Sequence, residues 1–467
     1  MRAMSGRDAM MLAMETPRAY MHTLKVSIVD PAAAPDGWSF DRYRDTMAHR
    51  LHLLPLLRWR YLPAPLGLGH PFWAEDPEFD LNNHLRRVAC PAPGDRRALC
   101  SFIASVYTYP LDRSRPLWLT WVVEGLEEGR VALVTLVHHA YVDGAGAANG
   151  LLALHDPDFS EESPCPEVPW HPPPLPSWGR RLTAGAVRLP LILARGVPGV
   201  VRGMRAARRW RVEAAGSEGL PDPRRMPATP LNRTLGRSRS LALDSIPLAL
   251  FQAARGLAPG ITVNDVFLAC CSGALRRQLQ AMAYDPDLGP LVAAVPMAAA
   301  RPAGEELHGN HTTVDYTWLP VHLADPGDRL RACHQNALAM KAHYRAIAGA
   351  DLSALVQLSP PGLIRLGDWF IRRSGGRFST CGNVTLSNVR GPDRPLFLGP
   401  YRVEQWFSIG QVFEGTPLNI TLWSYCDSAN LCVLADPQVV PDPWLLCSYV
   451  RDELASLVAL ATASKQA

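Results

Sequence analysis

The sequence predicts an α/β protein, and three observations carry that reading. Residues 131–137 and 291–296 are almost unbroken aliphatic and β-branched runs, the pattern of strands buried on both faces. Stretches of helical period accompany them: Leu99, Phe102, Ile103 and Val106 follow a capping Asp95, and a run through Leu275 and Leu279 follows Thr262 and Asp265, which stand at capping-box spacing. The third observation is size, since 467 residues that are 48% hydrophobic and 19% charged hold material for two cores rather than one.

Charge and cysteine usage narrow the function class. A net charge of +4 is too mild and too evenly spread for a nucleic-acid partner. The 10 cysteines include no C-x2-C pair, so a chain kept reduced is expected, without a metal centre. Residues 1–17 contain Arg2, Arg7, Asp8 and Glu15 and so lack the uninterrupted apolar core of a signal peptide. No stretch approaches the roughly 20 apolar residues that cross a bilayer, and a cytoplasmic location is expected.

Taken in order, Met21 and His22 lead into Leu24, Val26 and Ile28, whose alternation reads as a strand. Pro110-Leu111-Asp112-Arg113-Ser114-Arg115-Pro116-Leu117-Trp118 reads as a turn entering a strand, with Trp118 packed in the core. The buried run 131–137 then delivers His138, His139, Asp143 and Gly144 at its end. An isolated histidine there is usually a satisfied core or turn residue. Metal binding fits poorly, because H-H-x3-D lacks the i, i+4 histidine pair of the helical zinc motif. The chemistry this set suits is a histidine general base near neutral pH, with an aspartate ordering the loop and a glycine permitting its sharp turn.

Prolines crowd between 164 and 176, the composition of a stiff, extended linker. From 178 to 212 the chain is basic and apolar with no acidic residue, and Arg181, Arg188, Arg195, Arg202 and Arg209 recur at every seventh position. Such a segment suits a membrane interface, while Pro190, Gly196, Pro198 and Gly199 argue for a broken or kinked helix. A solvated crossover helix is the alternative. Beyond it, residues 238–243 and 291–296 read as strands, 330–347 as a helix, 418–425 and 431–434 as paired strands, and Asp442-Pro443 as the cap and first turn of a last helix.

His138-His139-x3-Asp143-Gly144 resembles the HHxxxDG signature of the chloramphenicol-acetyltransferase-like acyltransferases and of peptide-synthetase condensation domains. Pro116-Leu117-Trp118 resembles the PLW region of bacterial wax ester synthase/diacylglycerol acyltransferases, at a similar distance upstream. The same narrower likeness continues through residues 4–30, Phe72-Trp73, Phe79-Asp80-Leu81 with His84, Asn264-Asp265 and Gly309-Asn310. Two places depart from it. Pro296-Met297-Ala298-Ala299-Ala300-Arg301 stands where the family shows Pro-Val-Ser-x-Arg, and in Ser387-Asn388-Val389-Arg390-Gly391-Pro392 an arginine replaces the first proline of a Ser-Asn-Val-Pro-Gly-Pro turn.

The resemblance implies two chloramphenicol-acetyltransferase-like α/β domains with mixed sheets and flanking helices. Their expected spans are 1–160 and 235–467, joined by a crossover over 161–234. It implies acyl-CoA as co-substrate with no bound cofactor, a diacylglycerol or long-chain alcohol as acceptor, and peripheral attachment to the inner membrane or lipid droplets. His139 would be the general base, His138 a structural neighbour and Asp143 the holder of the loop through an arginine. Pro116, Leu117, Trp118, Asn264, Asp265, Ser387 and Asn388 would support the substrates. Acylation of another alcohol, a carrier-bound donor, a condensation-type amide synthesis, and a lipid-binding relative without turnover are the alternatives.

Overall fold

The first sheet grows from a pair of strands whose residues face one another across the motif. β2 (His22–Asp30) and β7 (Val131–His138) run antiparallel, with His22 opposite His138 and Leu24 opposite Leu136. β6 (Trp118–Glu124) pairs antiparallel with β7, and β5 (Leu85–Ala89) pairs in parallel with β6. On the far side of β2 lie β13 (Tyr401–Ile409) and β12 (Leu396–Leu398), giving the order β12-β13-β2-β7-β6-β5. Two strands from late in the chain thus complete the sheet that carries the histidines. The computed structural model describes the chain except for residues 33, 68, 142–153, 157–169, 191–193, 195–197, 199–200, 202–204, 206–207, 209–219, 222–225, 299–311, 348–365, 367–368, 376–381 and 467.

A second sheet has the order β10-β9-β11-β14-β15-β8, from β8 (Ser240–Pro247), β9 (Leu291–Ala298), β10 (Thr312–Leu319), β11 (Val384–Arg390), β14 (Leu418–Tyr425) and β15 (Ser428–Ala435). Only β11 is parallel to its neighbours, β9 and β14, so this sheet is mixed like the first. A small antiparallel sheet joins β1 (Arg2–Ala3), β4 (Phe72–Glu75) and β3 (Trp59–Leu62). Helices Val263–Ala281, Pro326–Ile347 and Pro443–Gln466 cover one face of the second sheet, with Phe267, Leu275, Leu330, Val450 and Leu454 in a single core with Leu386, Ile420 and Val433.

The expected strand at 131–137 is β7, and 291–296 lies within β9. The segment expected at 238–243 begins two residues later and runs to Pro247, because pairing with β15 continues to Ser428. Residues 384–390 extend as strand rather than as the turn the family likeness suggested, held between β9 and β14. Arg390 ends that strand with an exposed side chain that reaches Asp393 at 3.9 Å.

The helix Arg96–Tyr107 begins as its cap predicts, since Asp95 accepts a hydrogen bond from the Ala98 N–H at 2.7 Å, a cap worth about 1 kcal/mol. Its stripe of Leu99, Cys100, Ile103 and Ala104 packs on Leu24, Val26, Val134 and Leu136. Truncating Ile103 to alanine there should cost about 2–5 kcal/mol. On the other face of β2, Thr23, Lys25 and Ser27 are also buried. Alternation in an antiparallel sheet usually leaves its polar side in water. Here Trp406 and Trp423 cover that side, with the Lys25 ammonium 5.9 Å from the Trp423 ring.

The linker is anchored at Trp170, whose indole N–H donates to Glu75 at 3.1 Å while the Arg58 guanidinium lies 4.6 Å from its ring. Residues 178–190 are helical, and so are the described positions 194, 198, 201, 205 and 208, so helicity does not stop at Pro190. A proline removes one hydrogen bond and kinks a helix, and the turns on either side can still form. Gly196 and Gly199 lie outside the described residues, as do Arg195, Arg202 and Arg209.

Candidate active site

The last residue of β7 does not project freely. The chain turns at once, with the Tyr141 N–H donating to the His138 carbonyl at 3.0 Å and the Ala140 N–H donating to His138 Nδ1 at 3.0 Å. An Nδ1 that accepts leaves the ring proton of the neutral imidazole on Nε2. His138 is wholly buried, and that burial pushes its pKa well below the usual histidine value, helped by His22, Arg113 and His139. Its ring meets His22 edge-on at 5.9 Å, and Glu15 Oε2 lies 3.8 Å from Nε2, beyond hydrogen-bond reach. Burial likewise drops His22 to about 3 and raises Glu15, whose carboxylate is paired with Arg113.

His139 is held differently. Its N–H donates to the Met21 carbonyl at 2.9 Å, which fixes the backbone, and its side chain is only half-buried. Of the two adjacent histidines, one is thus wholly buried and folded back onto its own turn, and the other is half-buried. Asp143 and Gly144 lie outside the described residues.

The PLW segment is stitched directly to this turn. The His138 N–H donates to the Leu117 carbonyl at 3.0 Å, and the Leu117 N–H donates to the Tyr141 hydroxyl at 2.8 Å, which in turn donates to the Trp59 carbonyl. Pro116 is buried beside it. Trp118 is buried too, its indole N–H donating to the Leu57 carbonyl at 2.7 Å and its ring stacked on His84 at 4.5 Å. His84 Nδ1 meets the Trp118 carbonyl at 2.8 Å, and burial lowers its pKa to about 4. The spacing between the PLW and histidine motifs therefore has a physical cause, since the first supplies hydrogen-bond partners to the second.

A second cluster forms at the start of helix Val263–Ala281. Thr262 and Asp265 make the predicted capping box, with the Asp265 N–H donating to Thr262 Oγ1 at 3.3 Å and the Thr262 N–H donating to Asp265 Oδ2 at 2.9 Å. Asp265 Oδ2 also receives His334 Nδ1–H at 2.8 Å. Next to it, Asn264 Oδ1 accepts from Asn388 Nδ2 at 3.4 Å, joining two predicted residues from distant parts of the chain. Ser387 is half-buried on the same strand, opposite Thr421. The described ones among the predicted residues thus gather as two clusters, one at the end of β7 and one between β11 and the helix.

Several partners have no local sequence signal. Arg50 is buried and grips the chain as it leaves the motif, with Nη1 donating to the Leu154 carbonyl at 2.7 Å and Nη2 paired with Asp156. Asp156 exchanges backbone hydrogen bonds of 2.8 and 2.9 Å with Phe397 of β12. The contacts of Glu15 with Arg113 and His138, of Tyr141 with Leu117 and of His334 with Asp265 likewise arise only in the folded chain. On the Leu133 and Thr135 face of β7, a cavity of about 30 Å³ is lined by Lys25, Ser27, Thr120, His155 and Trp406. That volume suits about one water and is far too small for an acyl chain. Lys25 Nζ donates there to Thr23 Oγ1 at 3.2 Å and to Ser408 Oγ at 2.5 Å. Among the described residues, no three His, Cys, Asp or Glu side chains gather as a metal site would need.

Comparison with known proteins points one way. Residues 4–267 match the model of the wax ester synthase/diacylglycerol acyltransferase catalytic domain, and residues 308–458 match that of the WS/DGAT C-terminal domain. A Mycobacterium tuberculosis (strain ATCC 25618 / H37Rv) protein provisionally named a diacylglycerol O-acyltransferase is 47% identical over 469 residues, covering 99% of this chain and 98% of its own. Another of that organism, similarly named, is 34% identical over 452 residues, or 95% of this chain and 93% of its own. The solved wax ester synthase/diacylglycerol acyltransferase from Marinobacter aquaeolei VT8 superposes with a TM-score of 0.70 at 26% identity, over 98% of this chain and 100% of that one. The first condensation domain of the CDA synthetase shares the fold, with a TM-score of 0.60 at 17% identity over 98% of this chain and 96% of that one.

Proposed function

The chain belongs to the wax ester synthase/diacylglycerol acyltransferase family and is an acyltransferase, and we propose that it moves a long-chain acyl group from acyl-CoA to a diacylglycerol or a long-chain alcohol, with His139 as general base. In this reaction His139 takes the hydroxyl proton as the alcohol oxygen attacks the thioester carbonyl. The C–O bond forms, the C–S bond breaks, and the departing CoA thiolate recovers the proton, so neither a metal nor a covalent enzyme intermediate is required. A positioned base of this kind is worth about 10²–10⁴-fold in rate. Asn264 is our candidate donor to the oxyanion, a role that calls for a pre-aimed N–H.

The observation that carries the assignment is the contrast within the histidine pair. His138 spends Nδ1 on the Ala140 N–H and is kept neutral by burial, whereas His139 is anchored through its backbone and its side chain is only half-buried. We assign Asp143 and Gly144 to the shape of the loop that follows. The test is product analysis with long-chain acyl-CoA supplied together with hexadecanol and diacylglycerol. His139→Ala should remove most turnover at unchanged fold, while His138→Gln should act mainly on stability. Near-wild-type transfer by folded His139→Ala protein would overturn the assignment.

The substrates partition into lipid, and no described helix is long and apolar enough to cross a membrane. We therefore assign the crossover a docking role at a membrane or lipid-droplet surface. Arg180, Arg188, Arg205 and Arg208 are exposed along it, as are Trp178 and Val187. Each arginine near an anionic surface is worth about 1 kcal/mol. Replacing Arg188, Arg195, Arg202 and Arg209 with Gln should weaken sedimentation with anionic liposomes, most clearly at low salt; unchanged binding would leave the segment as a connector.

A further inference from the structure

Ahead of β11 stands a helical stretch whose apolar side faces the wrong way for a folded core. Leu366 and residues 369–373 are helical, and the stretch closes with the Ser374 N–H on the Phe370 carbonyl at 3.0 Å and the Gly375 N–H on the Arg372 carbonyl at 3.1 Å. Gly375 has a φ of 70°, the left-handed conformation in which a helix commonly ends. Leu366, Trp369 and Phe370 stand at i, i+3 and i+4, the spacing of one helix face. In the helix Arg96–Tyr107 a stripe of that spacing is buried, yet here the three side chains are 57%, 51% and 56% exposed. Arg373 extends the stripe to i+7, with its guanidinium 5.9 Å from the Trp369 ring.

Three large apolar side chains aligned toward water form a patch that a covering surface would desolvate favourably. The flanking sequence says which surface. The sequence from 361 to 378 holds Arg365, Arg372, Arg373 and Arg377 against a single acid, Asp368, so the segment is cationic, and the described Arg372 and Arg373 directly follow the stripe. Leucine and phenylalanine beside a tryptophan, with arginines at the margin, match the layers of an anionic lipid surface. The aliphatic and phenyl groups enter the acyl boundary, the indole sits at headgroup depth, and the guanidinium groups reach back to phosphates.

We propose that the stripe Leu366–Trp369–Phe370 inserts into an anionic lipid surface, with Arg372 and Arg373 on its headgroups. The proposal rests on the reading that the protein works on lipid-soluble substrates, but it is independent of the crossover. The two are separable by salt, because charge contacts of the crossover are screened while inserted apolar groups are not.

The experiment uses the full chain and measures flotation with vesicles of phosphatidylcholine alone and of phosphatidylcholine with phosphatidylglycerol. It is run at low salt and at about 0.5 M salt, where the Debye length is only about 4 Å. Wild-type protein should prefer the anionic vesicles and keep part of its binding at high salt. The triple variant Leu366→Gln, Trp369→Gln, Phe370→Gln should lose that salt-resistant part by about tenfold or more. Its thermal stability should be unchanged, because the three side chains are exposed. Equal high-salt binding by the variant would overturn the proposal. So would a wild-type dimer in sedimentation velocity that the variant abolishes, since a second copy would then be what covers the stripe. Absence of acyl transfer by the wild type would count against the proposed reaction and leave this binding result standing.

Discussion

Tyr141→Phe isolates one atom that joins the two motifs. The hydroxyl accepts the Leu117 N–H at 2.8 Å and donates to the Trp59 carbonyl, and the ring packs 4.5 Å from Trp73. Phenylalanine keeps the ring and its packing and deletes only the oxygen. The Leu117 N–H then lies buried without a partner, at about 1–3 kcal/mol, while the carbonyl of half-buried Trp59 can turn to water at smaller cost. A total of about 2–3 kcal/mol follows, or roughly 4–12 °C in melting temperature at the 2–4 °C per kcal/mol of a 150–250-residue unit. Because the Leu117 carbonyl also receives the His138 N–H, the loosening falls on the turn that aims His139. Calorimetry of both proteins at neutral pH measures the first effect, and turnover well below either melting temperature measures the second, with kcat expected to fall more than KM rises. A melting temperature within about 1 °C of wild type would show that the hydroxyl holds nothing. A lowered melting temperature with full turnover would show that it supports the sheet but not the aim of His139.

Acid should destabilise the fold through its buried histidines. His22 and His84 are depressed to about 3 and about 4, and His138 lies well below its usual value. A depressed group contributes stability present above its unfolded pKa near 6.5 and lost as pH falls toward the folded value, here at up to about 1.4 kcal/mol per pH unit for each histidine. Glu15, raised by burial, works in the opposite sense as pH rises through its folded value and offsets part of the slope. Denaturant melts from neutral pH down to pH ~4 should show a steep decline that His84→Gln makes shallower by about one proton, and an unaltered slope would refute the assignment. His334→Ala should cost about 1–3 kcal/mol by removing a partner of the buried Asp265 carboxylate, and a neutral melt would contradict that geometry. Arg50→Gln should cost about 2–4 kcal/mol and speed proteolysis after the motif, since it frees both Leu154 and Asp156; wild-type protease resistance would show that β12 alone holds this segment.

Much of the local structure was legible because its causes are local. The Asp95 cap and the Thr262–Asp265 box each satisfy a helix end within three residues, and the run 131–137 has a composition that only a doubly buried strand requires. The histidine pair was legible for the same reason, being fixed to the end of one strand. Ser5 and Asp8 form a second capping box that the same spacing rule would have found. What stayed unread depends on distant chain. Nothing near Lys25 shows that its side of β2 is covered by Trp406 and Trp423, nor does anything near Asp265 point to His334, 69 residues on.

The largest such effect is the placement of β12 and β13. Sequence composition separates the halves at the proline-rich and basic crossover, yet residues 401–409 pair with β2 from Asp30 to Leu24, the strand opposite the histidines. Strand pairing is chosen by shape and burial across the whole molecule, so a period-2 pattern identifies a strand without naming its neighbour. The consequence is mechanical. β2 begins directly after Met21, whose carbonyl fixes His139, and is flanked along its length by a strand from the other half. β12 also takes the backbone of Asp156, on the chain that follows the motif. An isolated N-terminal half would leave β2 as an open edge, with Lys25 and Ser27 exposed where Trp406 now covers them. The geometry around His139 is therefore a property of the joined halves, even though both histidines and the PLW segment are encoded within 24 residues, from Pro116 to His139, of a single one.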